Sequence, residues 1–128
     1  MIEVTNLSKN YGARKAIANL NFSIQKGEVV GLLGPNGAGK STTMKIITGF
    51  MAPTEGTAKV CGFDVFENPI EVKKRIGYLP ETPPLYNDMY VQDYLKYVAE
   101  LKDVDRSKIN SNVDMALEKT QLISVRGR

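Results

Sequence analysis

The stretch Gly34-Pro35-Asn36-Gly37-Ala38-Gly39-Lys40-Ser41 fits the pattern G-x-x-x-x-G-K-[ST] at every fixed position. These residue types suit a phosphate chain. Glycines remove side chains, so backbone N–H groups can turn inward and cradle phosphate oxygens. A helix opening near Lys40 adds its positive dipole end. Lys40 would reach the β- and γ-phosphates as a point charge, and the Ser41 hydroxyl would ligate Mg²⁺. Thr42 would sit near the α-phosphate. A dinucleotide loop, G-x-G-x-x-G, fits less well, because Gly37-Ala38-Gly39 is followed by Thr42 where the third glycine belongs.

Such a loop needs a strand before it and a helix after it. Val29-Val30-Gly31-Leu32-Leu33 is a short apolar run of buried-strand type, and Thr42 to Ile47 carries no Gly or Pro and can be helical. Ile2 to Thr5 and Phe22 to Ile24 alternate apolar and polar residues, which predicts an antiparallel pair beside the loop strand. Asn6 to Gly12 reads as a polar connection holding one aromatic, Tyr11. The loop helix should end near Gly49, with a connection over Phe50 to Gly56 and a strand at Thr57 to Val60. Asn68, Pro69 and Glu71 form a helix start with a capping box, and that helix ends around Arg75. The cluster Lys73-Lys74-Arg75 reads as its solvated end. Ile76 to Leu79 reads as a strand, stopped by Pro80 to Pro84. Val91, Tyr94, Leu95, Val98 and Leu101 then fall at helical spacing, and Ile109, Val113, Ala116 and Leu117 mark a second amphipathic helix after a linker at Asp103 to Ser107. Leu122 to Arg128 shows no clear element. Strands interleaved with helices, followed by helices alone, predict an α/β layer with a helical appendage.

Bulk properties narrow the function. The 128 residues suffice for a domain or part of one. The net charge of +3 is mild and its lysines are dispersed, so no nucleic-acid partner is expected. The single cysteine, Cys61, cannot form an internal disulfide, which suits a reducing cytoplasm; its apolar surroundings predict a small core residue. Histidine is absent, which excludes histidine-based catalysis within the chain. No apolar stretch approaches the length of a membrane span, and Met1 begins no signal-peptide pattern.

The match extends beyond one loop. The chain resembles the N-terminal portion of an ABC transporter ATP-binding subunit. Tyr11 stands upstream of the loop, where that family keeps an aromatic that stacks on adenine. Pro53-Thr54-Glu55-Gly56 follows the helix as the family's P-T-x-G segment does. Ile76 to Glu81 resembles its Q-loop strand, and the helices from Val91 resemble its helical subdomain. The wording Tyr78-Leu79-Pro80-Glu81 is similar to ABC-2 export subunits, including drug-efflux and gliding-motility exporters.

The resemblance implies a P-loop NTPase core of ABC type over residues 1–86, with an antiparallel β layer. The start of a helical subdomain would cover 87–128, incomplete. It implies ATP and Mg²⁺ as cofactors, held by Tyr11, Gly34, Pro35, Asn36, Gly37, Ala38, Gly39, Lys40, Ser41 and Thr42, with Ser41 and Glu81 near the metal. It also implies a transmembrane permease meeting Glu81 to Met89 and the helix from Val91, and a second ATP-binding subunit sandwiching the nucleotide. The location would be cytoplasmic, at the inner face of the cell membrane through the permease.

Two departures stand out. Glu81 occupies the place of the family's usual glutamine; a carboxylate is the better hard-cation ligand but adds negative charge near the γ-phosphate. The signature sequence, Walker B aspartate, catalytic glutamate and switch histidine of the family come later and have no counterpart here, so no catalytic residue is assigned and binding with little turnover is expected. A missing Walker B strand would leave Val29 to Leu33 as an unpaired apolar edge, prone to self-association. Other readings of the same loop are a soluble ABC-type ATPase of DNA repair or translation, and a kinase or GTPase sharing only the phosphate loop.

Overall fold

The alternation that begins at Ile2 runs further than it appears to. Strands β1 (Ile2–Tyr11) and β2 (Arg14–Ile24) form an antiparallel hairpin around Gly12-Ala13. Their inward faces change phase midway. In β1 Val4 is buried, then Leu7; in β2 Ile17 is buried, then Leu20 and Phe22 pack on the core. Between them Asn6 (φ 51°) and Asn19 (φ 48°) take left-handed backbone, and the register shifts. A bulge inserts one residue and turns the side chains that follow to the other face. Asparagine tolerates this conformation better than other side-chain-bearing residues. The displaced amides keep acceptors: Asn6 N–H donates to Asn21 Oδ1 at 2.8 Å, and Asn19 N–H to Ser8 Oγ at 3.0 Å. This phase change is why the second half of β1 reads as a connection in the sequence.

Strands β3 (Glu55–Val60) and β4 (Phe63–Asp64) complete an antiparallel sheet in the order β2-β1-β3-β4. Gly56 lies opposite the β1 bulge with φ +79°, and a Cβ there would stand 2.2 Å from the Asn6 carbonyl oxygen. Cys61 is exposed rather than in the core. It forms, with Gly62, the two-residue turn between β3 and β4, where both residues have positive φ (50° and 83°). Such turns match the right-handed twist of the strands they join.

Helix α1 (Lys40–Ile47) buries Ile46 and Ile47 against Val4, Leu7, Ile17 and Ala58 of the sheet. Helix α2 (Pro69–Arg75) adds the fully buried Val72. Pro69 stands in its first turn as expected, but Asn68 makes no side-chain cap, and Glu71 pairs with Arg75 at 2.6 Å instead of reaching back. The Arg75 guanidinium also lies 4.3 Å from the centre of the Phe63 ring.

Two apolar runs are not the strands expected. Val29 to Leu33 and Ile76 to Leu79 lack regular structure, with Val29, Leu33 and Leu79 almost wholly exposed. An apolar run becomes a strand only where a neighbour accepts its N–H and C=O groups. The four strands of this chain form one sheet, β2-β1-β3-β4, and neither run pairs with any of them.

The computed structural model describes every residue, Met1–Arg128, in two compact units, Met1–Tyr78 and Leu79–Arg128. The second unit is built on helices α3 (Val91–Leu101) and α4 (Arg106–Lys119). Ile109, Val113 and Leu117 are buried at helical spacing and pack against Val91, Leu95 and Ala99 of α3. Asp105 caps α4, accepting from the Ser107 N–H at 2.9 Å and the Ser107 hydroxyl at 2.7 Å, and these bonds hold its carboxyl below the usual carboxylate range. The tail, unassigned from sequence, forms a 3₁₀ turn at Ile123–Val125. Its Arg126 and Arg128 carbonyls accept the N–H groups of Gln92 and Val91 at the start of α3. Arg126 also pairs with Asp114 at 3.1 Å. No helix is long and apolar enough to cross a membrane.

Gly56→Ala is expected to destabilise the first unit by at least about 2 kcal/mol, since it meets both a left-handed backbone and the Asn6 carbonyl. Denaturant titration of both forms checks this; an unchanged midpoint would show that the bulge can relax around a side chain.

Candidate functional site

The loop between Gly34 and Gly39 is closed by its own hydrogen bonds. Ala38 N–H donates to the Pro35 carbonyl at 3.1 Å. The Lys40 ammonium donates to the carbonyls of Gly34 and Pro35, the latter at 2.7 Å. Lys40 thus folds back across the loop it follows and stays half-buried. Asn36 and Gly37 form the exposed turn at the tip, with Gly37 at φ +83°.

Gly39 places the loop on the sheet. Its φ is +92°, and a Cβ would stand 2.4 Å from the Ala16 carbonyl oxygen in β2. Only glycine allows both the backbone turn and this approach. Helix α1 starts at the next residue. Its first intrahelical acceptor, the Gly39 carbonyl, takes the Thr43 N–H at 2.8 Å and the Thr43 hydroxyl at 2.9 Å. Thr43 is buried, whereas Ser41 is exposed and Thr42 half-buried, so the neighbouring hydroxyls have separate tasks.

Donors are left over at this helix start. No side chain caps α1, and its first turn holds no acid. The N–H groups of Gly37, Gly39, Lys40, Ser41 and Thr42 find no acceptor within the chain. A row of amides beside a lysine and a helix dipole fits a multiply charged anion. The metal question is answered differently. No group of three or more His, Cys, Asp or Glu residues could hold a cation by itself. The donor set fits a Mg²⁺ that takes one protein hydroxyl, Ser41, and draws its remaining ligands from phosphate and water.

Tyr11 ends β1 and is half-exposed. Its hydroxyl donates to the Met51 sulfur at 3.0 Å, and the Lys9 ammonium stands 5.7 Å from its ring centre while donating to the Ala52 carbonyl at 2.8 Å. Across the hairpin Tyr11 faces Arg14, whose Nη2 lies 3.8 Å from the position a Gly37 Cβ would take. The hairpin end carrying the aromatic and the tip of the loop are therefore neighbours. Sequence reasoning missed Arg14, although the two-residue turn at Gly12-Ala13 places it opposite Tyr11. A cleft of about 430 Å³ runs between β2 and the loop, lined by Ala16, Ile17, Leu32, Leu33 and Gly39 among others.

Glu81 belongs to the second unit and is exposed, in a stretch without regular structure. In the same unit Tyr86 stacks at an angle on Tyr94 and Tyr97, with ring centres 6.5 and 5.8 Å apart. A hydrogen bond with Tyr86 raises the Tyr97 phenol above its ordinary value. Leu85, Tyr86, Met89, Val91, Tyr94 and Leu95 line most of an open apolar pocket of about 480 Å³.

The family profile described as ABC transporter matches residues 17–128. A probable ABC transporter ATP-binding protein of Azorhizobium caulinodans is 36% identical over 122 residues, covering 94% of this chain and 43% of that protein. The lantibiotic transport ATP-binding protein SrtF of Streptococcus pyogenes is 40% identical over 109 residues, covering 85% of this chain and 46% of that one. The ABC transporter ATP-binding protein NatA of Bacillus subtilis is 38% identical over 120 residues, 89% and 48%. The chain thus spans less than half the length of these relatives. A solved ATP-binding subunit of an ABC transporter superposes with a TM-score of 0.88 at 31% identity, covering 98% of this chain and 52% of that one. A dimeric ATP-binding cassette solved with ADP and Pi has the same fold, with a TM-score of 0.82 at 23% identity, covering 100% and 61%. An α/β core with an antiparallel layer, a glycine loop seated on it and a sequence matched over residues 17–128 agree: the chain belongs to the ABC transporter ATP-binding family.

Proposed function

We propose that this chain binds Mg-ATP, and that the protein it serves uses ATP to drive export through a membrane permease. The observation that carries the nucleotide reading is the set of unpaired N–H groups of Gly37 and of Gly39 to Thr42 beside Lys40. Each role then follows from position. The free amides of Gly37 and of Gly39 to Thr42 cradle the phosphates. Lys40 exchanges its loop carbonyls for β- and γ-phosphate oxygens. Ser41 holds Mg²⁺ and Thr42 stands at the α-phosphate. Tyr11 offers its ring to the base from the neighbouring hairpin end. A Mg²⁺ held there by Ser41 would supply charge neutralisation for the triphosphate. Glu81 is the candidate for a metal-proximal carboxylate.

A transport role is supported by the relatives' own descriptions, which include lantibiotic transport and a probable multidrug transporter, and the outward direction is this reading's own proposal. The permease contact fits the aromatic and apolar surface of Leu85, Tyr86 and Met89 with α3. Pairing with a second ATP-binding subunit, and a place at the inner face of the membrane, complete this reading.

Titrations test it. Lys40→Ala should weaken Mg-ATP at least about 100-fold, because several charge-assisted hydrogen bonds go at once. Tyr11→Ala should weaken ATP about 5- to 150-fold, the range of base stacking, and leave inorganic triphosphate unchanged. Equal losses for both ligands would remove the ring from the base site, and a strong preference for GTP over ATP would favour the GTPase reading. Glu81→Gln should alter the Mg²⁺ dependence of ATP binding; an unaltered dependence takes Glu81 out of the site. For the permease surface, Leu85→Asp should release the intact protein from membranes of its host while ATP binding persists. Retention on the membrane would place the contact elsewhere.

A further inference from the structure

We propose that Arg14 is a phosphate-binding residue of the nucleotide site, a second cation acting from β2 while Lys40 acts from α1. The proposal rests on the nucleotide reading of the loop and adds to it a side chain outside the glycine motif. Arg14 is the first residue of β2 and pairs with Tyr11 across the hairpin turn. Its guanidinium reaches the tip of the loop, with Nη2 3.8 Å from the Cβ position of Gly37. That is ordinary van der Waals distance, so the guanidinium packs directly against the loop tip.

Arg14 has no carboxylate or carbonyl partner, and it is exposed. The charged residues next along these segments are cations: Lys15 follows Arg14 on β2, and Lys40 follows the loop. No acid stands in the loop or in the first turn of α1. A guanidinium with no acid partner, beside a loop tip with free backbone amides, is matched by an anion rather than by this chain. Arginine is also chemically suited, since its planar fork presents several donors and pairs bidentately with phosphate. Its place between the base-facing ring of Tyr11 and the cradle puts it along the nucleotide's phosphate side. A hydroxyl-bearing sugar would leave its charge unanswered.

The test titrates Mg-ATP, inorganic triphosphate and adenosine into the intact protein and into Arg14→Gln, Arg14→Lys and Lys40→Ala. Arg14→Gln should weaken ATP and triphosphate alike by about 10- to 100-fold, with a shallower salt dependence, and leave adenosine unchanged. Arg14→Lys should recover part of the loss, and melting temperatures should match, because Arg14 is exposed. Unchanged triphosphate affinity in Arg14→Gln overturns the proposal. So does a loss on adenosine equal to that on triphosphate, which would mean that Arg14 only positions the Tyr11 hairpin. If Lys40→Ala abolishes triphosphate binding while Arg14→Gln does not weaken it, the Arg14 assignment alone fails. If the unaltered protein binds no triphosphate, the loop reading fails and takes Arg14 with it.

Discussion

The phosphate chemistry of this chain depends on one close approach, that of Gly39 to the Ala16 carbonyl. That contact seats the end of the loop on β2. It sets the direction in which α1 leaves, and so where the first amides of the helix point. It also fixes Lys40 one residue later, within reach of the loop carbonyls. The contact is possible because the hairpin has a rigid edge at that place. Ile17, next to Ala16, is buried in the core with Ile46 of α1, so sheet and helix clamp the glycine between them. A loop with the same motif on a floppy support would lack a preformed cradle, and ordering it would cost part of the binding energy.

The two asparagine bulges serve the same end. Without them the inward face of β1 would continue from Val4 to Asn6, and Leu7 would point to solvent. With them the hairpin stays packed along its whole length, so Tyr11 and Arg14 at its far end are held rather than frayed. Gly56, opposite the bulge, lets β3 follow the distortion. Arg14 and the loop tip meet at the end of a hairpin whose defect near the middle of β1 is matched on both neighbouring strands.

Much of this was legible in the residues. The phosphate motif, the helix after it, the antiparallel pair and the two amphipathic helices follow from types and spacing. Ile109, Val113 and Leu117 are buried as their period implies. What was not legible depends on neighbours. The apolar character of Val29 to Leu33 signals a buried strand, but pairing is a property of two segments and none of β1 to β4 pairs with it. The continuation of β1 past Thr5 was hidden because a bulge breaks the period by which a strand is read. Cys61 looked like core because its flanks are apolar, yet the hairpin needed a left-handed turn there. At the site, Arg14 was invisible because its importance comes from a register across the hairpin and from a loop tip distant in sequence that lies beside it.

The most direct measurement is a calorimetric titration of Mg-ATP into the chain and into Gly39→Ala, with circular dichroism on both. Saturable one-to-one binding is expected for the chain and none for the variant, whose sheet signal stays intact while the loop loses its seat on β2. Binding of equal strength in Gly39→Ala would contradict it, since the cradle would then form without the contact from which its geometry is derived.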